Sequence, residues 1–303
     1  MFKTLRFVLA LLMGALALPL LSESLAGAAA VPRCIVSLSP TATETLFAIG
    51  AGPQVQAVDS DSDYPTTGLP SKRINAFNPS VEAILGICKS SASHPSTKPD
   101  LVVISYDANS IDQKLTSQGV KVIDQDAASS VAAALSQIRQ LGALTGHAAK
   151  ADALAASLKT TITADINAVP AHPSKKITVY YETGTNPYYS LTSQTFVGSL
   201  MKSLGLVNIA DADSTTADAG YPELSAEYII SANPKLILLA GTASPASVAK
   251  RPGFAKVSAV VNHNVVELNA DISSRWGPRL GLLMNQLTAV VKATLKNATL
   301  WKQ

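Results

Sequence analysis

Apolar runs of strand length alternate with capped helical stretches along this chain, and a long interval with no strand signal splits the alternation in two. Residues 35–39, 55–58, 101–105 and 121–123 read as buried strands, with helices predicted over 41–48 and 111–118. Thr41-Ala42-Thr43-Glu44 has the spacing of a capping box. From Ser129 or Ser130 onward the apolar positions Leu135, Ile138, Leu141 and Leu144 follow helical periodicity, and Gly146 interrupts them. A second, Ala-rich helical stretch covers 148–168 and would span about 30 Å at 1.5 Å per residue. The alternation then restarts, with strands at 177–181, 236–239 and 265–266 and helices at 194–204 and 278–296. Strands separated by helices form a parallel sheet covered on both faces. The predicted class is therefore α/β: two three-layer lobes with mainly parallel central sheets, 31–128 and 171–303, joined by a long helical segment over 129–170.

The two halves share a unit. Ser80-Val81-Glu82-Ala83-Ile84 leads to Lys98-Pro99-Asp100-Leu101-Val102-Val103, and Ser225-Ala226-Glu227-Tyr228-Ile229 leads to Asn233-Pro234-Lys235-Leu236-Ile237-Leu238. Each is a capped helix, a proline and a buried strand. The first copy carries a Ser-rich insertion over 88–97. In a parallel lobe the helix runs antiparallel to the strands, so its C-terminus lies at the edge where the strands begin. That edge also holds Cys34, so Cys34 and Cys88 can meet there. The two readings left open are a disulfide and a pair of free thiols.

The N-terminus has the form of an export signal. Lys3 and Arg6 precede an apolar run over 7–21, and small residues at 26–30 suit cleavage near 28–30. Cys34 follows Val31-Pro32-Arg33, which is no lipid-attachment sequence. The expected product is an exported, extracytoplasmic monomer. A formal charge of +3, scattered along the chain, suggests no nucleic-acid partner. No G-x-S-x-G elbow is present. His94, His147, His172 and His263 are dispersed, which argues against a hydrolase base and against a zinc or manganese site. No catalytic residue, metal ligand or intrinsic cofactor is expected, and repeats or sorting signals of an adhesion module are lacking.

In order and spacing the segments resemble class III periplasmic substrate-binding proteins, which serve ABC importers of cobalamin, ferric siderophores and haem. The matching stretches are Ile35-Val36-Ser37-Leu38-Ser39-Pro40-Thr41-Ala42-Thr43-Glu44, Ser62-Asp63-Tyr64-Pro65, Asn78-Pro79-Ser80-Val81-Glu82, Lys98-Pro99-Asp100-Leu101-Val102 and Ser274-Arg275-Trp276-Gly277-Pro278-Arg279. The resemblance implies two lobes with ligand between them and little relative motion. It is nearest to the cobalamin-binding type, and implies a corrinoid or ferric chelate as ligand, with haem or zinc and manganese receptors of the same fold as alternatives. It places Tyr64, Phe77, Tyr106, Tyr181, Tyr188, Tyr221 and Trp276 in the cleft, although tyrosine and phenylalanine stand where that type has tryptophan. It also implies that Glu82 and Glu227 dock into the two permease subunits; as structure alone, both are acids placed favourably at helix N-termini.

The residues point the same way. Those seven aromatics and Tyr189 are eight of only sixteen in the chain, and they fall at the ends of predicted strands or in the loops that follow them, the edge where open α/β sheets bind ligands. Flat rings supply apolar contact and phenolic hydroxyls supply hydrogen bonds. Asp271 and Arg275, before the last helix, are candidates to bind ligand amides or carboxylates, or to pair with each other.

Overall fold

A computed structural model describes residues 30–301 apart from 93, 173 and 213–218. The predicted export segment, except for Ala30, lies outside the described residues. Five strands build the first sheet: β1 (Ile35–Leu38), β2 (Val55–Asp59), β3 (Arg73–Ile74), β4 (Leu101–Ile104) and β5 (Lys121–Asp124), in the order β3-β2-β1-β4-β5. Every pairing is parallel, with Val36 opposite Val102 and Val58 opposite Arg73. β1 and β4 are buried along their whole length, as near-continuous apolar sequences require; the one polar side chain, Ser37, is satisfied by hydrogen bonds with Ser39 and Thr43. Helices α1 (Pro40–Ala48), α2 (Val81–Leu85) and α3 (Ile111–Thr116) make the connections.

The interval without strands is helical. α4 (Val131–Thr145) starts at Ser130, whose hydroxyl accepts from the Ala133 N–H at 3.2 Å. It stops at Gly146, where φ of +77° puts the backbone in the left-handed region that favours glycine. α5 (Ala148–Asn167) follows at once. Four parallel strands then form the second sheet: β6 (Ile177–Glu182), β8 (Leu206–Asn208), β10 (Leu236–Leu239) and β11 (Val265–Glu267), in the order β11-β10-β6-β8. β7 (Tyr188–Tyr189) and β9 (Glu223–Leu224) pair separately and antiparallel. Helices α6 (Phe196–Ser203), α7 (Ala226–Ala232), α8 (Pro245–Ala249), α9 (Ser258–Val261), α10 (Ala270–Ser273) and α11 (Leu280–Lys296) complete the chain. The α/β class and the two parallel-sheet lobes agree with the sequence reading.

Helices α4 and α5 belong to both interiors. Leu135, Ile138, Leu141, Ala151, Ala155 and Leu158 pack with the β1–β4 side of the first lobe. Ala134 and Ile162, on the same two helices, pack with β6, β10 and α11 of the second. The described residues from Val31 onward accordingly form one compact unit.

Two local readings are refined by the structure. Helix α1 is capped by Ser39, whose hydroxyl accepts from the Ala42 N–H at 3.2 Å, with Pro40 in the first turn. The expected box starting at Thr41 is not formed, because the chain turns helical two residues earlier and Glu44 is drawn elsewhere. Cys34 and Cys88 form a disulfide, with Cα atoms 6.1 Å apart. It ties the start of β1 to the insertion, where the Ser91–His94 bridge folds the loop back on itself. The repeated unit is real in three dimensions: Ser80 caps α2 by accepting from the Ala83 N–H, and Ser225 caps α7 by accepting from the Tyr228 N–H.

Candidate functional site

In both sheets the chain reverses its winding beside the first strand of the lobe, β1 or β6, which opens a crevice at the strands' C-terminal ends. A cavity of about 800 Å³ lies at the β6 crevice. Thr183 and Ala240 line it just after β6 and β10, Ala270 comes from the start of α10, and Ala127–Ser129 come from the approach to α4. A second cavity of about 550 Å³ lies at the β1 crevice, lined by residues after β1, β2 and β4 such as Pro40, Asp61 and Ser105. Ser274, Arg275 and Trp276 line both, so the turn between α10 and α11 stands between the lobes as a shared wall.

The predicted aromatics divide into three groups. Tyr181, Tyr221 and Trp276 line the larger cavity. Tyr181 is buried, and burial pushes its phenol up to about 12, a rise that the neighbouring Ser273 hydroxyl opposes. It therefore stays protonated and able to donate. Tyr221 is 49% exposed, with its phenol also raised by burial. The Trp276 indole donates to Gln137 Oε1 at 2.7 Å, and Gln137 donates in turn to the Asp126 carbonyl, so α4 sets the angle of the ring.

Tyr64, Phe77 and Tyr106 form the second group, on the first lobe at the ends of β2, β3 and β4. Phe77 and Tyr106 are 70% and 62% exposed, with ring centres 6.4 Å apart. Tyr64 lies against Arg279, whose guanidinium is 4.4 Å from the ring centre. None of these three is among the residues lining either cavity, and Tyr188 too stands apart from both. Its ring packs on Phe254 at 5.8 Å and beneath Arg251 at 5.1 Å, in the outer core of the second lobe. Arg251 is itself held by a two-pronged ion pair to the buried Glu182.

Asp271 and Arg275 sit in the shared wall, but Arg275 is largely committed to protein partners. It donates to Glu44 at 2.8 Å, to Asp63 at 2.6 Å and to the Asp61 carbonyl at 3.0 Å, with Asp271 at 3.5 Å. Arg279 adds two donations to the same Glu44. Glu44 is 2% exposed, so one buried carboxylate on α1 gathers two guanidinium groups from the other lobe. Burial raises the Asp63 carboxyl, but the hydrogen bond and charge of Arg275 outweigh it and hold Asp63 below the usual range. Burial disfavours the charged form of Arg275, and the bonds to Asp63 and Glu44 more than restore it. Sequence reasoning missed Glu44 because a glutamate three residues after Thr41 also fits a capping box. The signal available was the pair Arg275 and Arg279, four residues apart in the turn before the last helix with no acid between them.

Glu82 and Glu227 each occupy the second position of a short helix, α2 and α7, one per lobe. The Glu82 carboxylate accepts from its own backbone N–H and from the Ser80 hydroxyl, which hold it below the usual range and fully charged at neutral pH. Among the described residues no group of three or more His, Cys, Asp or Glu side chains is arranged to hold a metal ion, and no helix is long and apolar enough to cross a membrane.

A family model described as periplasmic binding protein matches residues 35–272. The uncharacterized ABC transporter substrate-binding lipoprotein YvrC of Bacillus subtilis is 30% identical over 258 residues, spanning 82% of this chain and 76% of that protein. A cobalamin-binding protein of Halobacterium salinarum is also 30% identical, over 82% of this chain and 66% of that protein. Among solved structures, the periplasmic vitamin B12 binding protein of Vibrio cholerae matches with a TM-score of 0.72 at 25% identity, covering 88% of this chain and 98% of that one.

Proposed function

This chain belongs to the periplasmic binding protein family, and on that footing we propose that it is the exported, non-enzymatic capture subunit of an ABC importer. Its ligand is a bulky metal chelate, a corrinoid or a ferric siderophore, held between lobes 31–128 and 171–303 that are bridged by 129–170. The supporting observation is the cavity of about 800 Å³, walled by Tyr181, Tyr221 and Trp276 together with hydroxyl side chains such as Thr192, Thr195 and Ser274. Its volume and its mixture of rings and neutral donors suit a large, flat, partly polar molecule. Phe77, Tyr106 and Tyr64 offer a second aromatic face on the opposite lobe.

Ligand then passes to a permease dimer docked through Glu82 and Glu227. Their equivalent positions in the two lobes give one carboxylate to each permease subunit. Charged rim groups of this kind guide association and register more than they hold the complex.

Fluorescence quenching of the purified protein by cobalamin, cobinamide, haem and ferric siderophores tests the capture role. Saturable quenching by one of them is expected, with affinity at least about tenfold weaker in Trp276→Ala, a loss of about 1.4 kcal/mol. Quenching by none of them, together with turnover of a generic ester, would overturn it. Docking is tested by Glu82→Lys with Glu227→Lys: import should stop while ligand affinity is retained, and a loss of ligand affinity would refute the docking role.

A further inference from the structure

We propose that the cleft selects its ligand by charge, accepting neutral or cationic molecules and refusing polyanionic ones. The proposal rests on the reading of this cleft as the capture site and adds to it the class of ligand.

Charge is unbalanced at the shared wall. Arg275 is the only cationic side chain among the described residues that line either cavity. Its guanidinium is spent on Glu44, Asp63 and the Asp61 carbonyl, so few donors remain for a carboxylate on a ligand. The cavity of the first lobe is lined by Asp61, Asp63 and Asp271 against that single guanidinium. Arg279 and Glu44, immediately behind, add one charge of each sign and pair with each other, leaving the excess acidic. The Arg279 guanidinium also lies against the Tyr64 ring, 4.4 Å from its centre. Among the described residues, the lining of the larger cavity contributes hydroxyls, the Gln194 amide and aromatic rings, and no carboxylate or ammonium group.

Like charges set against each other in a partly desolvated site are costly, so a ligand bearing several carboxylates or catecholate oxygens is disfavoured on entry. Amide side chains, by contrast, find donors and acceptors without a charge to oppose. Exposed Asp63 and Asp271 carry the selectivity, and Glu44 preserves it by occupying the guanidinium groups.

Two ligands of one scaffold isolate the effect: diaquacobinamide, an amide-bearing cationic corrinoid, and cobyrinic acid, the same ring carrying free carboxylates. Both are titrated into the full-length mature protein by fluorescence quenching at low salt and at high salt. A cationic and an anionic iron chelate, ferrioxamine B and a ferric tris-catecholate, repeat the comparison on a second scaffold. The expected result is that the cationic member of at least one pair binds, and binds at least about tenfold more tightly than its anionic counterpart. The gap should narrow at high salt and in Asp63→Asn with Asp271→Asn, with circular dichroism verifying that the variant is folded. An anionic member binding as tightly as its cationic partner, or more so, would overturn charge selection and leave the capture role standing. Binding of none of the four, with cobalamin and haem equally silent, would overturn both.

Discussion

Glu44 shows how one residue can decide a site from behind it. It is buried on α1 in the first lobe, and its two carboxylate oxygens hold Arg275 and Arg279 from the second. Taking one member from a buried ion pair strands the charge of its partner. Glu44→Gln should therefore cost about 3–5 kcal/mol, read as a fall in the urea denaturation midpoint. A loss within the noise of a surface substitution would show that the cluster is solvated. Asp63 adds a pH dependence of known sign. Its folded pKa lies below the unfolded value of 3.8, so its contribution is fully present above 3.8 and is lost as pH falls through the folded value. Asp59 works in the opposite direction, because burial raises its carboxyl despite the Ser62 hydrogen bond. The clean measurement is thus a difference: wild type should be more stable than Asp63→Asn at pH 7, and the gap should close in the acid limb. A gap independent of pH would refute the pairing with Arg275. Side chains such as Tyr188 could not be placed from sequence, since a tyrosine after a strand reads the same whether it faces a cavity or packs on Phe254.

At the level of elements, the disulfide has the clearest consequence. Cys34 and Cys88 are 54 residues apart, and closing a loop of that length removes unfolded-state entropy corresponding to about 4 kcal/mol in the chain-entropy model. Reduction, or Cys34→Ser with Cys88→Ser, should lower the denaturation midpoint accordingly, with intact mass reporting no free thiol before reduction. Two titratable thiols in the untreated protein would refute the link. Most helices and long strands were legible because apolar periodicity, caps and glycine stops coincide at their ends. β3, β7, β8 and β9 were not legible. Two or three residues hold no periodicity, and such strands form only when a neighbouring edge is already in place to accept their hydrogen bonds; β11, equally short, was read from its paired valines Val265 and Val266.

For the whole molecule, the important fact is that α4 and α5 are part of both interiors while the Glu44 cluster ties the lobes across the cleft. A hinge would have to break packed core on one side and buried ion pairs on the other. The expected outcome is a small-angle scattering profile that is nearly unchanged when saturating ligand is added. A marked fall in the radius of gyration would show that the lobes close. The sequence alone was enough to identify two α/β lobes, the helical interval that α4 and α5 occupy, the repeated capped unit with Glu82 and Glu227, and the sheet edges at which the two cavities open. Those features are local: they follow from periodicity, capping and the fixed direction of a βαβ connection. Which aromatics share a cavity, and that Arg275 faces Glu44 and Asp63, was decided only by tertiary structure. Residues more than 200 positions apart meet there, and no local rule encodes how two lobes set their turns against each other.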